Sequence, residues 1–352
     1  MIRVLVVDDS ATVRGRLVEI LDNDPAFEVV GQAADGVRAI EMCAELRPDV
    51  MTLDLVLPKL TGLQVTEHVM AHSPLPILIV SSSFNRGDVF NTYEALAAGA
   101  VDVLDKSGTL GSDDQWEDKF VSAVRMASRI KVITHPRGRL GALGRARAGT
   151  PSGELAASVE GSPEIAIVAI GASTGGPAAI ARVLAGIPAS FHLPILVVLH
   201  IDGAFASSFA NWLSTQLGRP VRCASDGELL TEAPILVAPS HRHLIVSGKR
   251  AHWSDLPPRN FCKPSVDVLF ESIAVDYGRR AVAVLLTGMG RDGAAGMLAI
   301  RRTGGVTIAQ DEASSVVWGM PREAAANGGA SRVLALDHIS AAIVQTVAKE
   351  SP

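Results

Sequence analysis

The sequence predicts an α/β protein with two doubly wound, mostly parallel sheets. Short β-rich runs alternate with helical patterns in both halves of the chain. Between the halves lies a stretch rich in Gly, Ala, Ser, Pro and Arg that lacks a long apolar period. A length of 352 residues is sufficient for two domains, each with its own core. We therefore predict domains at 1–125 and 163–350, joined by a linker at 126–162.

The composition excludes several classes of protein. A net charge of −5 and a pI near 6.0 argue against a nucleic-acid partner. The N-terminus reads as a strand and not as a signal peptide, and no apolar run reaches the length of a membrane span. The three cysteines, Cys43, Cys223 and Cys262, lack paired spacing and are interpreted as buried apolar residues, not as disulfides or a zinc site. These features predict a cytoplasmic protein with no direct membrane insertion.

The first half shows a (βα)5 rhythm, which implies an open parallel sheet with helices on both faces. The predicted strands are at 4–7, 28–33, 50–55, 76–81 and 100–105, with helices at 13–22, 36–46, 62–72 and 88–98.

The second half repeats the α/β pattern with a different arrangement. Helices are predicted at 178–184 and from about 206, and the segment 243–253 is predicted to add a small antiparallel hairpin. The predicted strands are at 165–170, 194–200, 221–224, 235–239, 243–247, 281–288 and 306–310.

Polar residues follow the ends of the predicted strands in the first half. Asp8 and Asp9 follow the first strand, Asp54 the third, Ser81 the fourth and Lys106 the fifth. Strand carboxyl ends share one edge of a parallel sheet, so the three carboxylates would repel one another without a hard cation such as Mg²⁺. The alternative is that each acid merely caps a helix, but this does not account for all five positions together.

Ser173 lies where a predicted strand runs directly into a helix. A serine there projects from the carboxyl edge of the sheet beside free N–H groups of the helix N-terminus, which suits a nucleophile. Residues 171–175 also match the G-x-S-x-G pattern of α/β hydrolases, but this serine follows the first strand of its own domain. A dinucleotide-binding loop does not fit, because Ser173 occupies the position of the middle glycine.

Two further residues complete a candidate hydrolytic site. His200 ends the next strand and can act as general base, although a core histidine is the ordinary alternative. Asp292 lies in the glycine-rich loop LLTGMGRDGAAG, where it either orients His200 or caps the following helix. The Met289 N–H of the same loop is a candidate oxyanion donor.

The first half closely resembles the receiver domain of bacterial response regulators, on the five strand-end residues above. The resemblance implies a flavodoxin-like fold in which Asp54 accepts a phosphoryl group from a histidine kinase. It also implies that Asp9, Asp54 and the carbonyl of Val56 hold Mg²⁺ with help from Asp8, while Ser81 and Lys106 contact the phosphoryl group. Val103 stands where the family usually has an aromatic residue, and Ser107 where it usually has proline.

The second half closely resembles the catalytic domain of CheB, the chemotaxis protein-glutamate methylesterase. The shared motifs are GASTGGP, FCKPSVDVLF, LLTGMGRDGA and AQDEASSVVWGMPREA. The resemblance implies a Rossmann-like sheet with Ser173 as nucleophile, His200 as base and Asp292 as orienting acid. It further implies that Thr174 hydrogen-bonds the imidazole and that Met289 supplies an oxyanion N–H.

The resemblance also implies substrates and partners. The expected reactions are demethylation of glutamyl methyl esters on chemoreceptors and deamidation of receptor glutamines, under the control of a CheA-type histidine kinase. One departure is Ile201-Asp202, where the family usually has Met-Pro after the histidine. The competing class is a response regulator whose output domain only binds a partner, but such a protein has no need of Ser173, His200 and Asp292 together.

Overall fold

The computed structural model describes residues 1–82, 86–109, 114–130, 165–201, 203–230 and 235–348. Asp202 and nearly all of the predicted linker lie outside these residues, as does the side chain of Ser107. The domain boundaries at 125 and 163 therefore stay predictions.

The N-terminal unit is a parallel five-stranded sheet with the strand order β2-β1-β3-β4-β5. Its strands are β1 (Ile2–Val7), β2 (Phe27–Ala33), β3 (Val50–Leu53), β4 (Ile77–Ser81) and β5 (Asp102–Asp105). Its helices are α1 (Ala11–Asp22), α2 (Gly36–Leu46), α3 (Gly62–His72), α4 (Arg86–Ala98) and α5 (Asp114–Ala127).

Local sequence signals fix where three of these helices begin. The side chains of Ser10, Asp35 and Thr61 accept N–H bonds from the first turns of α1, α2 and α3. Thr61 and Gln64 form a reciprocal capping box. These caps leave the preceding loops at the carboxyl edge of the sheet, where β1 and β3 pair side by side.

The C-terminal unit contains a parallel seven-stranded sheet with the order β15-β14-β13-β6-β7-β10-β8, and a three-stranded antiparallel sheet with the order β11-β12-β9. Its strands are β6 (Ile167–Ala172), β7 (Ile195–Leu199), β8 (Val221–Cys223), β9 (Glu228–Leu229), β10 (Ile235–Val237), β11 (His243–Ser247), β12 (Arg250–Ser254), β13 (Ala281–Leu285), β14 (Val306–Gln310) and β15 (Arg332–Leu334). Its helices are α6 (Gly176–Ala185), α7 (Gly203–Leu217), α8 (Val266–Asp276), α9 (Ala294–Arg302), α10 (Met320–Ala326) and α11 (Leu336–Ala348).

The fold class predicted from the sequence is confirmed, including the small antiparallel hairpin. The sequence did not reveal β9 and β15, which are two and three residues long. Strands this short carry no periodicity, and they form only because a longer strand lies beside each of them.

The two units pack against each other through α4, which contacts α6 and α7. Tyr93 of α4 is fully buried, and its ring lies 5.3 Å from the rings of both Phe209 and Trp212 of α7. Its hydroxyl donates to the Phe205 carbonyl at 2.7 Å, and Glu94 accepts a bond of 2.9 Å from the Trp212 indole. This arrangement is an interface of aromatic packing with satisfied polar groups.

Among the described residues, no helix is both long and apolar enough to cross a bilayer.

Candidate active site

Ser173 and His200 leave adjacent strands at the same level of the sheet. Ala172 of β6 pairs with Leu199 of β7, and the His200 N–H donates to the Ala172 carbonyl at 3.0 Å. The Ser173 N–H donates at 3.0 Å to the carbonyl of Thr287, which follows the other neighbouring strand, β13. The sheet register therefore places the predicted nucleophile beside the predicted base.

Asp292 contacts His200 directly. Its Oδ2 lies 2.9 Å from His200 Nε2, and the two side chains are 2% and 14% exposed. The capping alternative for the helix that follows Asp292 is not observed, because α9 begins after Gly293 and has no side-chain cap. Sequence reasoning left the two interpretations open, and the structure brings Asp292 to the imidazole.

The N-terminus of α8 holds the Asp292 carboxylate. Its oxygens accept the N–H groups of Val266 at 2.6 Å and Asp267 at 3.3 Å, the Ser265 hydroxyl at 2.7 Å and the Asn260 amide at 3.2 Å. The positive end of a helix dipole favours an anion at this position. These bonds orient Asp292 toward His200 and keep it ionised.

Electrostatics within the pair favour a charged imidazole. Burial alone would lower the pKa of His200, but hydrogen bonding to Asp292 and the neighbouring Cys262 outweigh it and raise the pKa to about 9. Burial would raise the pKa of Asp292, but the bonds from His200, Ser265 and Val266 lower it to about 2. The Asp292 carboxylate therefore favours the protonated form of His200.

The glycine-rich loop supplies free amides close to Ser173. The N–H groups of Met289 and Thr174 have no acceptor among the described residues. A Cβ on Gly288 would lie 2.7 Å from the Cβ of Ser173, so only glycine allows the loop to approach this closely. The two N–H groups suit the stabilisation of an oxyanion, and sequence reasoning had identified only that of Met289.

Thr174 makes a different contact from the one expected. Its hydroxyl donates at 2.9 Å to Asp102 Oδ2, at the start of β5 in the N-terminal unit, and not to the imidazole. The pKa of Asp102 is raised by burial. In this arrangement the N-terminal unit therefore contacts the residue next to Ser173. Sequence reasoning missed this contact because the two residues are 72 positions apart.

The interpretation of the cysteines as buried apolar residues is correct for Cys43, but Cys223 is only partly buried against the core, and for Cys262 the interpretation is wrong. Its side chain is partly exposed, and its Sγ lies 3.6 Å from His200 Nδ1. Cys262, His200 and Asp292 each offer a donor atom within 4.8 Å of the others, but hydrogen bonds from the protein already occupy both Asp292 oxygens. The sequence signal that could have predicted this position is that Cys262 lies in the motif FCKPSVDVLF, just before α8.

A cavity of about 190 Å³ lies beside this site, at the carboxyl ends of β7 and β10. Its lining is apolar where it meets the sheet, at Leu199 and Val237, and also includes His241 and Lys263. Leu199 precedes His200 and Lys263 follows Cys262 in the chain, so the cavity lies close to the His200 side of the site and can receive a side chain of the substrate.

The N-terminal unit brings its five predicted residues together at one edge. Ser81 donates to Asp54 Oδ1 at 3.0 Å, and Lys106 Nζ lies 2.5 Å from Asp54 Oδ2 and 3.1 Å from Asp8 Oδ2. Asp54 is 2% exposed, whereas Asp9 is exposed. Asp54 thus lies against the side chains predicted to contact a phosphoryl group.

The same edge suits a hard divalent cation. Asp8, Asp9 and Asp54 each offer a carboxylate oxygen, and these oxygens all lie within 4.8 Å of one another. Burial and the Asp54 charge raise the pKa of Asp8, although Lys106 opposes them. Burial would lower the pKa of Lys106, but the carboxylates raise it, so an ammonium helps balance this negative site.

Together, the fold and the two sites define a class: a receiver-like unit joined to an α/β unit with a Ser-His-Asp arrangement. Family models match both parts, with the response regulator receiver domain at residues 4–111 and the CheB methylesterase at residues 168–343. The chain belongs to the CheB methylesterase family, in the form that carries a receiver domain.

Relatives match the chain over nearly its whole length. A protein-glutamate methylesterase/protein-glutamine glutaminase of Anaeromyxobacter dehalogenans is 44% identical over 97% of both chains. One of Cupriavidus pinatubonensis is 38% identical over 99% of both chains. The crystal structure of the Thermotoga maritima CheB methylesterase catalytic domain is 32% identical, with a TM-score of 0.50, and covers 53% of this chain and all of that one.

Proposed function

We propose that the protein hydrolyses glutamyl methyl esters on chemoreceptors and that phosphorylation of its receiver controls the rate. The observation that carries this proposal is the 2.9 Å contact between His200 and Asp292 at the strand end next to Ser173. The names of its relatives support the choice of an ester of protein glutamate as substrate. Receptor, kinase and this protein would meet in the cytoplasm.

The acylation step follows from the positions of the side chains. Ser173 Oγ attacks the ester carbonyl carbon while its proton passes to His200 Nδ1, because Nε2 is engaged by Asp292. The oxyanion forms beside the N–H groups of Met289 and Thr174. Collapse of the tetrahedral intermediate breaks the bond to the methoxy oxygen, which takes the proton from His200 and leaves as methanol.

Deacylation reverses the roles. Water attacks the acyl carbon and gives a proton to His200, which returns it to Ser173 Oγ as free glutamate leaves. A receptor glutamine enters the same sequence with ammonia as the leaving group, so one site serves both reactions. Neither step requires a cofactor in this scheme.

The receiver provides the control. Asp54 would accept a phosphoryl group from a CheA-type histidine kinase, with Mg²⁺ held by Asp8, Asp9 and Asp54. Bound there, Mg²⁺ would neutralise charge on the phosphoryl oxygens. Ser81 and Lys106 would contact the phosphoryl group. The Asp102–Thr174 contact and the Tyr93 interface favour a closed state, and phosphorylation would shift the population toward an open one.

The test uses the full-length protein with methylated receptor and a serine-directed phosphonylating reagent. The proposal predicts methanol release, and loss of that release together with one adduct per chain, located on Ser173. The Ser128→Ala variant is a matched control, since that hydroxyl donates to the Arg125 carbonyl near the end of α5 and lies in the N-terminal unit, and this variant should still be labelled. A protein that releases no methanol and takes up no adduct would act as a binding module instead.

A further inference from the structure

A two-residue turn next to the active site carries a phenylalanine in a strained position. Arg259 and Cys262 exchange backbone hydrogen bonds of 3.1 and 2.9 Å, and the two residues between them have φ angles of 52° for Asn260 and 64° for Phe261. Such a turn needs positive φ at both central positions, which favours the sequence Asn-Gly. A bulky aromatic residue at the second position is unfavourable.

Both neighbours of Phe261 have contacts that explain their positions. Asn260 donates to Asp267 at 2.9 Å and to Asp292 at 3.2 Å, and Cys262 lies against His200. Phe261 has no such explanation, because its relative exposure of 104% means that its side chain gains no burial against the described residues. The fold therefore keeps Phe261 with a strained backbone and a solvent-exposed ring next to the candidate catalytic residues, without any gain in packing.

Two other exposed apolar residues border the same site. Met289, 52% exposed, follows Gly288, which abuts Ser173. Val316, 39% exposed, lies over Gly175, two residues after Ser173. Three exposed apolar side chains from three separate segments thus lie near the site: Met289 and Val316 adjoin residues close to Ser173, and Phe261 adjoins Cys262, which contacts His200.

We propose that Phe261 is a substrate-anchoring residue, which packs on the apolar side chains of the receptor segment that flank the reacting glutamate. This inference rests on the proposed function and adds how the polypeptide is held. Aromatic anchors of this kind supply much of the affinity at protein interfaces. A small glutamyl ester lacks the flanking segment, so Phe261 discriminates between the two substrates.

The test compares the ratio of kcat/KM for a methylated receptor fragment to kcat/KM for N-acetylglutamate γ-methyl ester. Phe261→Gly should lower this ratio about tenfold, as expected for loss of an anchoring aromatic side chain. Phe261→Leu, which keeps an apolar side chain, should retain at least half of the wild-type ratio. Val275→Ala is the matched control, because Val275 is 85% exposed near the far end of α8, and it should keep the ratio.

Thermal unfolding separates anchoring from a structural role. Phe261→Gly should not lower the melting temperature, since glycine adopts the positive φ without strain. A ratio within twofold of wild type, an equal loss with both substrates, or an equal loss in Phe261→Leu would overturn the inference. Wild-type protein that releases methanol from neither substrate would overturn the proposed function itself, and the inference with it.

Discussion

At the scale of single residues, the site depends on how Asp292 is held. Five donors, from His200, Val266, Asp267, Ser265 and Asn260, surround its two oxygens. A carboxylate with this many bonds at a helix N-terminus stays ionised and cannot turn away from the imidazole. Asp292 thereby fixes the ring of His200 with Nε2 toward the carboxylate, so that Nδ1, which lies 3.6 Å from Cys262 Sγ, is the nitrogen that we propose for proton transfer.

This arrangement predicts an activity that rises into the alkaline range. The base must be unprotonated, so kcat/KM for a small glutamyl ester should increase with pH up to the His200 pKa of about 9. Asp292→Asn removes the charge that raises this pKa, so the inflection should move to lower pH while the plateau falls on the order of 10³–10⁴-fold. Methanol release measured against pH checks both, and a wild-type inflection at or below pH 6.5 would contradict the assignment.

The same pair sets a pH dependence of stability. The raised pKa of His200 means that its contribution is complete below pH 6.5 and is lost as pH rises through about 9. The lowered pKa of Asp292 means that its contribution is complete above pH 3.8 and is lost as pH falls through about 2. The difference in free energy of unfolding between wild type and Asp292→Asn, measured by urea unfolding, should therefore be largest between pH 3.8 and pH 6.5. A difference that does not vary with pH would indicate that the pair is not ionised.

At the scale of secondary-structure elements, three neighbouring strands position the chemistry. β7, β6 and β13 lie side by side, and their carboxyl ends lead to His200, to Ser173 and to the loop of Met289. This convergence is predictable from sequence, because strand-end residues of a parallel sheet share one edge.

The close approach of the loop after β13 gives a prediction at this scale. A methyl group at Gly288 would press on Met320 Sδ, and on the Cβ and backbone N of Ser173 at 2.7 and 3.0 Å. Gly288→Ala should lower kcat for methanol release about 10²-fold, because a small displacement of the nucleophile disrupts attack. Gly15→Ala, where a Cβ meets nothing within 4 Å, is the matched control. Full activity of Gly288→Ala would show that the loop does not constrain Ser173.

Sequence patterns predicted the strand ends well and the contacts between distant segments poorly. Ser173, His200 and Asp292 could be predicted from the sequence because each follows a strand or lies in a glycine-rich loop with a recognisable pattern. The contacts of Asp102 and Cys262 could not be predicted. Asp102 bonds across the interface between the two units, and the contact of Cys262 with His200 depends on the path of an irregular loop. Neither position produces a local periodicity, so only the folded chain brings these partners together.

At the scale of the whole molecule, the receiver contacts the C-terminal unit beside Ser173. Aromatic packing of Tyr93 on Phe209 and Trp212 holds α4 against α7. The Asp102 carboxylate accepts a hydrogen bond from Thr174, the residue after Ser173. Strand β5 joins the two candidate sites, because it begins with Asp102, which contacts Thr174, and leads at its other end to Lys106, which contacts Asp54.

Weakening the contact between α4 and α7 should raise the rate of methanol release by the unphosphorylated protein. Tyr93→Phe removes the 2.7 Å bond to the Phe205 carbonyl, a loss of about 1 kcal/mol, and should raise the unphosphorylated rate by up to about fivefold. The rate with phosphodonor and Mg²⁺ should stay at the wild-type value, while Asp54→Asn should abolish stimulation. Tyr277→Phe is the matched control, at the end of α8. An unchanged basal rate in Tyr93→Phe would show that the interface does not limit catalysis.

The most direct test of the central claim is methanol release from methylated receptor by full-length Ser173→Ala, in the presence of phosphodonor and Mg²⁺. The substitution removes one hydroxyl at a turn, so melting should be unchanged while the rate falls by on the order of 10³-fold or more. A correctly folded Ser173→Ala protein that releases methanol within tenfold of the wild-type rate would contradict the assignment of Ser173 as nucleophile, and with it the catalytic role proposed for His200 and Asp292.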